Sequence, residues 1–199
     1  TYTSDIAFSG TSSVNVLSGY SVTLSGVLSG NTGLAKNGSG TLVISNVANT
    51  YANLLAVLSM NGGILQISGS FTPSTVSVNS GTLLVTGSLN PSGPLGISGG
   101  ATLLITGSGT LGSLNSGVYT CSKNITVTGT VQYSSNVSQV LSGVISGGGV
   151  LVKDTSDTSV LTLSGTNSYT GSTTISAGTL KAANSKAFGA SSSPINVSG

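Results

Sequence analysis

Arginine, glutamate, histidine and tryptophan are missing from this 199-residue chain. Its charged side chains are five lysines (Lys36, Lys123, Lys153, Lys181, Lys186) and three aspartates (Asp5, Asp154, Asp157), 4% of the residues. Recognition of a phosphate backbone or an anionic lipid surface needs clustered Lys and Arg, so neither nucleic acid nor membrane is an expected partner. General acid–base chemistry has no His or Glu to use, and a Ser or Thr nucleophile would have lysine as its only base. The chain therefore reads as non-enzymatic, with no catalytic residue and no cofactor. No metal site is expected: Asp154 and Asp157 sit in a Ser/Thr-rich stretch that reads as a solvated loop, with weak calcium binding as the alternative. The single cysteine, Cys121, rules out a disulfide framework. It reads as a small buried hydrophobe, with an intermolecular disulfide as the alternative. The longest apolar run, Leu54-Leu55-Ala56-Val57-Leu58, is far short of the roughly 20 residues of a membrane span. Thr1 to Asp5 carry no Met, no basic start and no apolar core, and read as a mature end left by signal-peptide removal. The expected location is extracellular, at a cell surface.

Glycine and short apolar strands are what the chain has instead. It holds 30 glycines and 37% hydrophobic residues, with a net charge of +2. Disordered chains combine low hydrophobicity with high net charge, so this one is expected to fold. Strand-like segments recur at 21–26, 41–45, 65–69, 82–87, 102–107 and 125–129, rich in β-branched residues and mostly ending in Ser-Gly or Thr-Gly. We read those glycines as supplying the positive φ of a corner. A Gly-x-Leu signature repeats at Gly40, Gly63, Gly81, Gly109 and Gly178, and Gly100-Ala101-Thr102-Leu103 is a variant of it. Several neighbours lie about 20 residues apart, the length of one solenoid coil. Helical periodicity is confined to 53–60 and 182–188, each a turn of helix or an irregular corner at most. Asn37-Gly38 and Asn61-Gly62 mark tight bends or a local hairpin.

A longer duplication overlies the coil. Residues 22–36 match 139–153, and each copy continues to a strand and then to a tyrosine, Tyr51 or Tyr169. Repetition of that tyrosine points to corner packing rather than sugar stacking. The second copy, from Leu141-Ser142-Gly143-Val144-Ile145-Ser146-Gly147 through Leu161-Thr162-Leu163-Ser164-Gly165 and Tyr169-Thr170-Gly171 to Ala177-Gly178-Thr179-Leu180, resembles the autotransporter-associated β-strand repeat of bacterial surface and passenger proteins. The resemblance is clearest over 139–189 and weaker over 22–67. It implies an all-β, right-handed parallel β-helix, and about 20 residues per coil gives about ten coils. No segment resembles the family's C-terminal membrane barrel, so self-export is not implied.

One continuous rod over 1–199 is thus expected, with 1–16 a candidate strand for pairing between subunits. Solenoid ends normally carry polar caps, and none is identifiable here. Ile6, Phe8, Val14 and Val16 at one end, with Ile195 and Val197 at the other, form candidate self-association faces. Copies of the same chain are then the expected partners, joined head to tail into a filament. The alternative is an adhesin or passenger fragment that displays a binding surface to glycans or matrix. Sequons at Asn37, Asn124, Asn136 and Asn196 offer glycan acceptors whose use depends on the host.

Overall fold

Three columns of parallel strands wind into one solenoid in a computed structural model of the chain, which describes residues 1–10, 12–30, 32–46, 57–115, 118–154 and 158–198. Face one stacks Ser12–Asn15, Leu34–Asn37, the first halves of Val57–Ile67 and Thr75–Val85, then Leu95–Ile97, Ile125–Val127 and Ile145–Ser146. Face two stacks Ser21–Leu24, Thr41–Ile44, the second halves of Val57–Ile67 and Thr75–Val85, then Thr102–Gly107, Thr130–Ser135, Val150–Asp154, Thr173–Ala177 and Ile195–Val197. Face three is made of shorter sheets: Ile6–Phe8 with Leu28–Gly30; Ser70–Phe71, Ser88–Leu89 and Thr110–Leu111; and, further on, Val118–Cys121, Gln139–Leu141, Val160–Leu163 and Thr179–Ala182.

Stacked identity of position explains the core. Each face-two strand turns alternate residues inward, so one row runs Val22, Leu42, Leu65, Leu83, Leu103, Val131 and Leu151, each in register with the next. The parallel row runs Leu24, Ile44, Ile67, Val85, Ile105, Tyr133 and Lys153. Nearly all of these side chains are buried, Leu42, Ile44, Leu65 and Ile67 at 0% exposure. Burying one such Leu or Ile removes about 1.5–3 kcal/mol of apolar surface cost, which no single coil achieves alone.

The rod makes about eight turns rather than ten. Coils are longer than 20 residues on average because one of them, from Ile105 to Tyr133, takes 28 positions, whereas Ile67 to Val85 takes 18. The long coil holds an antiparallel hairpin, Ser113–Asn115 against Val118–Cys121, which the sequence does not announce. At about 4.8 Å per rung, eight turns give a rod about 40 Å long.

The duplicated segment is read twice, one face out of phase. In the first copy, 22–24 lie on face two, Leu28–Gly30 on face three and 34–36 on face one. In the second, Gln139–Leu141 lie on face three, Ile145–Ser146 on face one and 150–153 on face two. Five turns carry Leu24 to Tyr133, and Leu141 lies one face further on.

Three local expectations change. The Ser-Gly and Thr-Gly corners divide: Gly30 (124°) and Gly147 (104°) use positive φ, whereas Gly26, Gly69, Gly87, Gly129 and Gly143 do not. A Cβ on Gly87 would lie 2.2 Å from the Gly69 carbonyl oxygen, and one on Gly143 would lie 2.1 Å from that of Lys123, so at the second kind glycine is needed because successive coils bring backbone against backbone. Positive φ also falls at glycines opening face-two strands, such as Gly63 (65°) and Gly81 (84°). Of the helical candidate 53–60, residues 57–60 begin an extended strand, and 53–56 lie outside the described residues. Residues 185–188 form a turn, as the weaker reading of 182–188 expects. Asn37-Gly38 and Asn61-Gly62 are coil corners, not hairpins.

Candidate functional site

Corner side chains bind coil to coil. Asn61 Nδ2 donates to Asn37 Oδ1 at 2.9 Å, and Asn79 Nδ2 donates to Asn61 Oδ1 at 2.8 Å, a ladder up the corner between faces one and two. Asn15 sits in register below Asn37. A second device uses the hydroxyl that precedes several close-approach glycines: Ser68 Oγ donates to the Ile44 carbonyl, Thr128 Oγ1 to Ile97 and Ser142 Oγ to Cys121. Each of these carbonyls also accepts the backbone N–H of the same Ser or Thr and of the glycine after it, so the hydroxyl adds to a ladder that continues into the corner.

Two of the five lysines lie inside the rod. Lys36 and Lys153 are each at 0% exposure, at matching positions of the duplication. Lys36 Nζ donates to the carbonyls of Asn37 (3.0 Å), Gly38 (2.6 Å) and Gly62 (3.0 Å), the last in the next coil. Lys153 Nζ reaches the Ala177 carbonyl at 3.5 Å and stands 5.9 Å from the Tyr133 ring centroid. Gly62 and Ala177 both precede the glycine of a Gly-x-Leu signature, so one sequence motif builds the same cross-coil tie twice. Desolvation lowers the Lys36 pKa from its ordinary value.

The buried aromatic hydroxyls are also tied. Tyr133 OH donates to the Val137 carbonyl, and Tyr169 OH lies 2.7 Å from Thr173 Oγ1. Tyr169 is 1% exposed and fills a corner, as repetition suggests; its counterpart Tyr51 lies outside the described residues. Cys121 is buried at 1% exposure, and burial raises its pKa. Desolvation pushes Tyr133 up to about 12. Its phenol stays protonated in the fold after it ionises in the unfolded chain, so its stabilisation is intact below pH 10 and disappears between about 10 and 12. A two-unit shift corresponds to about 2–3 kcal/mol. Urea melts at pH 9 and pH 11.5 check this: Tyr133→Phe should lose less stability across that interval than the parent chain.

The six candidate association residues occupy the first and last rungs. Ile6 and Phe8 are half-buried against the core, in register with Leu28 and Gly30. Val14 is half-buried and Val16 is already covered at 2% exposure, so Val16 packs within the rod. Tyr2, Leu17 and Tyr20 are more open, at 64%, 63% and 69%; Tyr2 stands in register with inward-facing Leu24 on the terminal rung, whereas Leu17 and Tyr20 lie outside the strands. Ile195 and Val197 hold inward positions above Thr173 and Ile175, yet stand 48% and 74% exposed.

The sequons separate by environment. Asn37 is half-buried in the ladder, whereas Asn124, Asn136 and Asn196 are exposed. Asn124 Oδ1 accepts from the Val144 N–H, which leaves it partly engaged. Asp154 is held by Gln132 Nε2 and Ser134 Oγ; Asp157 lies outside the described residues. Among the described residues no three His, Cys, Asp or Glu side chains gather in one place, and no helix is long and apolar enough to cross a membrane. An open cleft of about 520 Å³ lies near Asn167, Ser168, Ser185 and Lys186, but Asn167 faces inward bonds to Ile145 N–H and the Ala187 carbonyl.

No curated protein and no solved structure matches the chain. The family model of the passenger-associated-transport-repeat matches residues 34–85 and 156–182. Those segments hold Lys36, the Asn37–Asn79 ladder, Tyr169 and the Gly178-Thr179-Leu180 strand, the elements that tie one coil to the next. The match takes in part of each stretch where the sequence shows the resemblance, 34–67 and 156–182, and the repeat together with the parallel β-solenoid fits an autotransporter passenger-type surface protein.

Proposed function

We propose that the chain is a non-catalytic rod of an extracellular passenger-type protein, holding a binding surface away from the cell that bears it. The observation that carries this reading is the continuous interior row from Val22 to Leu151, which spends the fold on length rather than on a cleft. Absence of Arg, His and Glu from the sequence supports a structural role. Glycans or matrix components are the partners such a surface would meet.

A second reading is favoured by Ile195 and Val197. Inward positions left 48% and 74% exposed want a further rung in register above them. In a passenger that rung belongs to the same polypeptide; in a filament it is the first rung of the next copy, with 1–16 lending the strand. Negative-stain microscopy of the purified 199-residue chain distinguishes them. Separate rods about 40 Å long support the passenger reading. Fibres many times longer, abolished by Ile195→Lys/Val197→Lys, support head-to-tail assembly, and compact particles without a long axis overturn both.

A further inference from the structure

Asn37-Gly38 and Asn61-Gly62 stand one above the other at the corner between faces one and two, yet their surroundings differ. Lys36 Nζ donates to the Asn37 carbonyl at 3.0 Å, and the Val16 N–H donates to the same oxygen at 3.0 Å. That oxygen shares its peptide group with the Gly38 nitrogen, so the buried ammonium stabilises the anion formed when the Gly38 N–H loses its proton. Among the described residues the Gly38 N–H donates to nothing. No side chain shields that nitrogen either: Gly38 sits at φ 75°, and a Cβ there would lie 2.3 Å from the Val16 carbonyl oxygen. The next coil prepares the other reactant. Asn61 Nδ2 donates to Asn37 Oδ1 at 2.9 Å, where negative charge gathers if the side-chain amide carbon is attacked. Asn61-Gly62 has only the second of these two aids. Asn79 Nδ2 donates to Asn61 Oδ1 at 2.8 Å, but Lys36 reaches the Gly62 carbonyl, one peptide beyond the group that carries the Gly62 nitrogen.

We propose that Asn37 is a self-modification site, at which the Gly38 nitrogen cyclises onto the Asn37 side-chain amide and expels ammonia. The Gly38 N–H gives its proton to hydroxide, and the nitrogen bonds to Asn37 Cγ. The Cγ–Nδ2 bond then breaks, and Nδ2 leaves as ammonia with a proton taken back from water. The product is a five-membered cyclic imide. Water opens it at Cγ to aspartate, or at the main-chain carbonyl carbon to isoaspartate, and no oxidant or reductant is consumed. Closure lies within one residue and its neighbour, so no encounter has to be arranged, and the half-buried corner admits the water. Either opening leaves a carboxylate next in sequence to Lys36, whose ammonium contacts three carbonyls and, among the described residues, no carboxylate. A buried cation that the sequence leaves without an anion thus acquires one with age.

Peptide mapping by mass spectrometry tests this on the 199-residue chain held at about pH 8 and 37 °C, with Asn61 as the control inside the same molecule. In the folded chain Asn37 is expected to convert at least about tenfold faster than Asn61, through an intermediate lighter by one ammonia. In urea, where both are plain Asn-Gly pairs, the two rates should agree within about threefold. Lys36→Met should bring Asn37 down to the Asn61 rate and leave Asn61 unchanged, with circular dichroism confirming that the variant folds. Asn37 no faster than Asn61 in the fold, or the same ratio of rates with and without urea, overturns the proposal; this comparison uses the parent chain alone and stands whether or not the variant folds. A folded Lys36→Met variant whose Asn37 converts within about threefold of the parent's rate overturns it as well.

Discussion

Gly143→Ala is expected to destabilise the rod by about 3 kcal/mol, at the upper end of overpacking effects, although one methyl is all that is added. The new Cβ would stand 2.1 Å from the Lys123 carbonyl oxygen and 2.4 Å from its carbon, atoms of a neighbouring coil's backbone that no rotamer change can move. Relief requires the coils to part, and parting them stretches the Gly143 N–H bond to the Cys121 carbonyl and the adjoining Ser142 hydroxyl bond. Gly87→Ala should behave alike, for its Cβ would meet the Gly69 carbonyl at 2.2 Å. Gly148→Ala is the control: its nearest neighbour would be Thr170 Oγ1 at 3.8 Å, and its φ is not in the left-handed region. There the alanine only narrows the unfolded ensemble, a change of about 0.4–1 kcal/mol in favour of folding. Urea denaturation of the three variants measures the sign as well as the size. Equal stability of Gly143→Ala and Gly148→Ala would show that the coils do not approach as described.

That contrast marks where the sequence stops being readable. Strand identity and stacking were legible because Leu, Ile and Val alternate with Ser and Thr along the strands; Cys121 was placed inside by its residue type, and Tyr169 at a corner by repetition of the tyrosine. The role of Ser-Gly was half legible: glycine marks a corner, but crowding and positive φ leave the same letter in the sequence. Phase was not legible at all. Residues 22–36 and 139–153 look like equivalent coils, yet the hairpin at Ser113–Asn115 and Val118–Cys121 inserts an uneven coil between them, and the later copy lands one face on. Gly178-Thr179-Leu180 accordingly sits on face three, although Gly63-Ile64-Leu65 and Gly81-Thr82-Leu83 open strands on face two. Residue counting from either end cannot find such a shift without knowing how many residues the irregular coil takes.

The interior lysines resisted reading most, because a lysine in a chain with few charges is ordinarily its solubilising residue. Lys36→Met is expected to destabilise the fold by about 2–3 kcal/mol. Methionine keeps the apolar stem and most of the volume, so the change isolates the ammonium and its three acceptors. Each charge-assisted bond contributes about 1.5–3 kcal/mol, and a carbonyl left without its donor is penalised by a similar amount. Against this, removing a buried ammonium relieves a desolvation cost of several kcal/mol, which is why the net effect is smaller than three bonds would suggest. The carbonyls win because Gly38 and Gly62 belong to successive coils, and the Lys36 ammonium is what holds those two oxygens within 2.6 and 3.0 Å of a common donor. Lys36→Ala should lose more, since a cavity adds to the missing bonds. Alkaline titration gives a second readout. Burial lowers the Lys36 pKa, so the folded chain releases that proton before the unfolded chain does, and this site's contribution to stability increases as pH rises towards 10.5. Subtracting the Lys36→Met profile from that of the parent should leave a positive slope in that window, measured with Tyr133→Phe in both backgrounds so that tyrosine ionisation does not mask it. A methionine variant as stable as its parent at neutral pH would mean that backbone pairing alone binds one coil to the next.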